Sequence, residues 1–194
     1  MNDILKSAYK SPPGLVIFLN GTSSSGKTTF AKALQSKLEE PFMVVSLDTY
    51  LNQLSKEVLG NNKLLGSLLP NLLNGFNRGI AAVSAAGNFQ IVDHVLQEPQ
   101  WVLPCVKALK DVPVIFVKVD CALNELKRRE KARGDRAVGM SEYQYPRVHQ
   151  HGIYDIEVDT STMSVEQCVN TFKRYLYSGA QPQAFVRLQE SDDI

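Results

Sequence analysis

Only three cysteines occur in the 194 residues, Cys105, Cys121 and Cys168, far apart and odd in number. With no C-x-x-C pair and no Cys/His spacing suited to a metal, a disulfide framework and a zinc site are both excluded. Reduced thiols in a cytosol are the expected state. An excess of one charge is missing too. The 21 basic and 20 acidic residues leave a formal net charge of +1, which demands neither nucleic acid nor an anionic membrane as partner. No apolar run nears the ~20 residues that span a bilayer. Met1-Asn2-Asp3-Ile4-Leu5-Lys6 lacks the basic-then-apolar layout of a secretory signal. No internal repeat or low-complexity stretch is present. A composition 44% hydrophobic supports one core, expected over 1–178 as a single domain. The remainder, 179–194, is expected to be a loosely docked or mobile tail. A cytoplasmic, single-domain protein is the expectation.

Against that neutral background stands Gly21-Thr22-Ser23-Ser24-Ser25-Gly26-Lys27-Thr28, a complete G-x-x-x-x-G-K-[ST] pattern. Gly21 and Gly26 permit the backbone turns that aim the N–H groups of this stretch at phosphate oxygens. Lys27 reaches the β and γ phosphates as a point charge, and Thr28 offers a hydroxyl to Mg²⁺. Leu15-Val16-Ile17-Phe18-Leu19 reads as a buried strand leading in. Thr28-Thr29-Phe30-Ala31 opens a helix whose N-terminus faces the anion. The ligand expected is a nucleoside triphosphate, ATP with Mg²⁺.

Further along, strands are expected over 42–47, 89–92, 112–119 and 155–158, the second and third closing on Asp48 and Asp93. Helices are expected from the phosphate loop to Leu38, over 68–86 with an uncertain start, 98–109, 122–132 and 142–149. A last helix runs from the capping box Ser164-Val165-Glu166-Gln167 to Tyr177. Between Asn52 and Gly66 the pattern is weak, with Gly60-Asn61-Asn62 marking a turn. Strands alternating with helices imply an α/β fold in three layers, a five-stranded parallel sheet flanked by helices. Ligands of such sheets sit outside the carboxyl ends of the strands, so Asp48 and Asp93 are expected beside the phosphate loop.

Two carboxylates beside a triphosphate have two uses: one organises Mg²⁺, the other accepts the proton of an attacking hydroxyl. Asp48 is read as the general base, with capping of the following helix as its alternative. Asp93 serves Mg²⁺, substrate binding or capping. The patch from Arg128 to Gly139 contains Arg133 and Arg136 around Gly134-Asp135, which suits a short Arg-rich lid closing over the phosphates. Arg128 and Lys131 read as a solvated face. His149-Gln150-His151 lacks a ligand partner at metal spacing, and Trp101 and Phe89 read as core. Asn62-Lys63-Leu64-Leu65 lacks the acid of a guanine-reading N-K-x-D.

Taken jointly, Leu19-Asn20-Gly21 with Ser23-Ser24 and Gly26-Lys27, Ala132-Arg133-Gly134-Asp135-Arg136, Gly139-Met140, His149 and the run Gly152 to Thr160 resemble the chloramphenicol phosphotransferase family of P-loop kinases. The likeness runs from Leu15 to Phe172. It implies a kinase fold and transfer of the γ-phosphate of ATP to an alcohol. It also implies that Asp48 is the base, that Lys27 and Thr28 contact phosphate and Mg²⁺, and that Asp93 and Arg136 lie near substrate and transferred phosphate. Two departures bear on the acceptor. The family's acidic pair after the third strand is here Asp93-His94, and the segments 50–77 and 95–104 diverge.

The expected function is therefore an ATP- and Mg²⁺-dependent kinase of a small hydroxylated molecule. Its alternatives are a kinase of a nucleotide or activated sugar, and a regulatory module that hydrolyses ATP slowly. Only Lys56 and Lys63 between Tyr50 and Asn77 are available to meet an anionic acceptor on that wall.

Overall fold

Val16-Ile17-Phe18-Leu19 offers no residue suited to solvent, and with Asn20 it forms β1 (Val16–Asn20), buried along its whole length at the centre of the sheet. The structure is a computed structural model, and it describes residues 12–133 and 139–191. Around β1 lie β2 (Met43–Ser46), β3 (Gln90–His94), β4 (Val114–Asp120) and β5 (Ile156–Asp159), in the order β2-β3-β1-β4-β5. Every pairing is parallel, so all strands end at one edge. Each strand is a residue or two offset from its expected span, and Asp93 lies within β3 rather than after it.

Alternation along β1 divides the core. Val16 and Phe18 join Val92, Phe116 and the inner face of one helical layer, while Ile17 and Leu19 join Ile91, Val117 and the other. The second layer is α1 (Lys27–Lys37) and the closing α8 (Val165–Leu176), whose Phe30, Leu34, Cys168 and Phe172 are buried. The box at Ser164 forms as expected, with Ser164 N donating to Gln167 Oε1 and Gln167 N donating to Ser164 Oγ. Between these helices in chain order come α2 (Leu47–Leu51), α3 (Lys56–Leu59) and α4 (Asn62–Ala85). A 3₁₀ turn (Pro99–Trp101), α5 (Val102–Ala108), α6 (Leu123–Arg133) and α7 (Met140–Gln144) follow.

α2 and α3 fall outside the helices expected from the sequence, and the helix expected over 142–149 is α7, which gives way to turns after Gln144. Two further segments differ from the sequence expectation. α4 starts at Asn62, because Asn61 caps it through Oδ1, which accepts from Leu64 N at 3.1 Å. It continues through Pro70, where the missing N–H forfeits the bond to the Gly66 carbonyl. The 179–194 segment, expected to dock loosely, contains α9 (Ala184–Glu190), with Phe185 and Leu188 buried against Phe18 and Phe116. Asp155 secures it: Oδ1 accepts from Gln183 N and Ala184 N at 2.7 and 2.9 Å, and Oδ2 accepts from Phe116 N. Among the described residues no helix is long and apolar enough to cross a membrane.

Candidate active site

The phosphate loop leaves β1 at Asn20 and turns into α1, between the ends of β3 and β4. Two glycines make that turn possible. A Cβ on Gly21 would stand 2.3 Å from the Val119 carbonyl oxygen, and Gly26 has φ of +89°. Ser24 also holds a positive φ, 63°, a region that side chains with a Cβ seldom adopt. Lys27 is buried, and its Nζ donates to the Thr22 carbonyl at 2.6 Å. The hydroxyls of Ser24 and Ser25 are buried without a hydrogen-bond partner among the described residues. A phosphate-sized acceptor would satisfy such a cradle.

Side chains from distant segments brace the loop. Asn20 Nδ2 donates to Tyr154 Oη at 2.8 Å and to the Val148 carbonyl at 3.1 Å, while its Oδ1 accepts from Leu96 N. Tyr154 Oη also meets His149 Nδ1 at 2.6 Å, so His149 belongs to this brace, and His151 stacks on Phe116. On the other side Thr160 Oγ1 donates to the Ser25 carbonyl at 2.7 Å. Arg129 binds Thr160 through both terminal nitrogens and Glu125 through Nε.

The carboxylates lie where the strand edge puts them. Alternation along β3 turns Asp93 toward α1, and Thr28 Oγ1 donates to Asp93 Oδ2 at 2.5 Å. His94 points the opposite way, buried between Phe18 and Phe76. Burial, and then the positive Lys27, lower its pKa to about 3 against the pull of Asp48, so the imidazole is neutral at neutral pH. Asp48 sits in the first turn of α2, not at a strand end. The cap of that helix is Ser46, whose Oγ accepts from Thr49 N, so Asp48 does not serve as the N-cap.

Asp48, Asp93, Lys27 and Thr28 line a single cleft of about 1280 Å³. At one end it is walled by Arg129, Arg133, Thr160, Met163 and Val165, and at the other by Leu51, Leu59, Leu65, Leu69, Val95 and Trp101. Trp101, expected in the core, packs against it from the cleft wall. The lining contains no Lys or Arg between Leu47 and Leu69 or between Val95 and Trp101. Arg133 lines the cleft, whereas Arg136 and the rest of 134–138 lie outside the described residues.

Sequence reasoning missed the group that joins the two flanks of that stretch. Glu130 is buried on α6, and its carboxylate accepts from Gly139 N and Ser141 N, both at 2.9 Å, and from Ser141 Oγ at 3.1 Å. Burial acts to raise its pKa, but these hydrogen bonds outweigh it and hold the carboxyl below its usual range. In sequence Glu130 is one more charge in a charged helix, and nothing there singles it out.

Several solved structures of similar fold are kinases. The chain superposes on the Mycobacterium tuberculosis APS kinase in complex with AMPPNP and APS with a TM-score of 0.66 and 16% identity, over 85% of this chain and 98% of that one. For the Acinetobacter baumannii shikimate kinase in complex with shikimate the TM-score is 0.60 at 13% identity, over 89% and 97%. In sequence, a Mycobacterium tuberculosis H37Rv protein named, provisionally, an O-phosphotransferase is 27% identical over 201 residues, covering 92% of this chain and 89% of that protein. The family described as chloramphenicol phosphotransferase-like protein matches residues 14–176. The fold is that of the P-loop kinases, and the chain belongs to the chloramphenicol phosphotransferase-like family.

Proposed function

We propose that this protein transfers the γ-phosphate of ATP to a hydroxyl of an uncharged, largely apolar small molecule. One observation carries the reading: Lys27, Thr28, Asp93 and Asp48 line the same cleft, and among the described residues the wall formed by 47–69 and 95–101 is leucine-rich and presents no Lys or Arg. Kinases of anionic acceptors need cations on that wall, so a nucleotide or a charged sugar fits it poorly.

Ser23 to Thr29 would hold the triphosphate, with Lys27, now bonded to the Thr22 carbonyl, available to the phosphates, and Thr160, Met163 and Val165 would offer a surface to the base. Thr28 Oγ1 and Asp93 suit Mg²⁺, being hard oxygen donors side by side at the phosphate site. The chemistry such an ion would supply there is neutralisation of charge on the group in transfer. Asp48 accepts or orients the acceptor proton, and Arg133 together with Arg136 balances charge as the phosphoryl group leaves ATP.

The test is ATP-to-ADP turnover with Mg²⁺ across a panel of neutral and anionic alcohols, with mass spectrometry for a phosphate adduct. A neutral alcohol that stimulates turnover and gains phosphate is the expected result. Asp48→Asn should lower kcat by about 10²- to 10⁴-fold with nucleotide affinity retained. Stimulation confined to anionic acceptors would overturn the assignment of the acceptor. Equal loss of transfer and nucleotide affinity in Asp48→Asn would overturn the role of Asp48.

A further inference from the structure

We propose that Gln144 is a positioning residue that ties the acceptor wall of the cleft to the phosphate loop, through its hydrogen bond to Gln97. The inference rests on the reading that the loop holds a nucleoside triphosphate. Gln144, at the C-terminal end of α7, is 6% exposed, and both ends of its amide are engaged. Its Oε1 accepts from Ser23 N at 2.7 Å, and its Nε2 donates to Gln97 Oε1 at 2.9 Å. Gln97 Nε2 then donates to Glu98 Oε1 at 2.9 Å, an oxygen that also accepts from Tyr143 Oη at 3.1 Å.

The direction of this chain is fixed by chemistry. Ser23 N–H can only donate, so Gln144 must present its oxygen there and its NH₂ to Gln97. Gln97 must in turn present its oxygen to Gln144 and its NH₂ to the Glu98 carboxylate. Reversing either amide would set donor against donor or oxygen against oxygen. The chain therefore has one low-energy arrangement, and at its buried end the bond to Ser23 N is strengthened by the one Gln144 donates to Gln97. Gln97 and Gln144 both line the cleft, on the side of Val95 and Trp101. An acceptor that engages the Gln97 amide pulls on Gln144, and Gln144 holds Ser23, the neighbour of the positive-φ Ser24. Glu130 anchors the other end of α7, so the helix cannot drift to absorb the change. The consequence is that nucleotide affinity depends on Gln97, although that residue stands on the acceptor wall.

The experiment needs no acceptor. A fluorescent ATP analogue with Mg²⁺ is titrated into the full chain and into Gln97→Met, Gln144→Met and the double variant, with unfolding midpoints measured in parallel. Methionine keeps the volume and removes the hydrogen bonds. Each single variant is expected to weaken binding by about fivefold, and the double variant to bind as Gln144→Met does. Gln97→Met binding like the wild type would overturn the proposal, as would a double variant weakened by about 25-fold, the product of the two. If Gln144→Met fails to fold, Gln97→Met against the wild type decides alone. Failure of the wild type to bind the analogue would instead remove the nucleotide reading itself.

Discussion

Replacing Glu130 by glutamine changes one buried carboxylate oxygen into an NH₂ group, and its cost follows from three hydrogen bonds. The oxygen that remains can serve Ser141 N or Gly139 N, not both, so one buried backbone N–H then faces another donor. The Ser141 hydroxyl can rotate to accept and loses little. An unsatisfied buried donor costs about 1–3 kcal/mol, and removing the charge from the surviving bond costs about 1 more. Glu130→Gln should therefore destabilise by about 2–4 kcal/mol, a large share of the ~5–15 kcal/mol that holds a domain together. Urea unfolding at neutral pH measures it, with the m-value checked for constancy. The carboxyl is held below its usual 4.5, so its contribution is present above that pH and is lost as pH falls through the folded-state value. The gap between wild type and variant should thus narrow in acid. A neutral-pH difference below about 0.5 kcal/mol, or a gap that widens in acid, would refute the reasoning.

Three further outcomes are expected. Burial holds His94 at a pKa of about 3 and His149 and His151 at about 4, against 6.5. The unfolded chain takes up protons first, so stability is full above pH 6.5 and falls toward pH 4 by up to ~1.4 kcal/mol per unit for each histidine. Unfolding midpoints that stay flat between about pH 7.5 and 5 would contradict this. Phe185→Ala removes a ring packed 5.0 Å from Phe116 and 5.9 Å from Phe18. It should cost about 3–5 kcal/mol, and a variant as stable as wild type would return 179–194 to a loose tail. Gly21→Ala places a methyl 2.3 Å from the Val119 carbonyl oxygen, so MgATP binding should be lost, and calorimetry showing unchanged affinity would contradict that crowding.

What the sequence revealed and what it hid divide along separation in the chain. The β1–loop–α1 unit was legible because its apolar run, glycines and Lys27 are contiguous, and the box at Ser164 because its two partners are three residues apart. The start of α4 was obscured by Pro70 and a scatter of Asn and Gly, and only the cap at Asn61 marks it. The Thr160–Ser25 bond spans 135 residues and the Gln144–Ser23 bond 121, and no local pattern announces either. Asp48 lines the same cleft as the loop, but it lies on a helix rather than at a strand end, because α2 is a single turn, too short to show a helical period in the sequence. The tail was misjudged because Gly179 and Pro182 drew more weight than the apolar spacing of Ala184, Phe185 and Leu188.

α4 is two helices in one as far as evolution is concerned. From Leu73 onward it supplies Phe76 and Ile80 to the core and is held there by packing. Before Leu73 it buries no residue, yet Leu65 and Leu69 from that stretch face the cleft. Substitutions there can reshape the cleft while leaving the stability of the domain almost untouched. The cleft can thus be reshaped there at little structural risk, with the phosphate loop untouched at the start of α1. Residues 62–72 are therefore where the shape of the cleft can be altered at the least cost to the core.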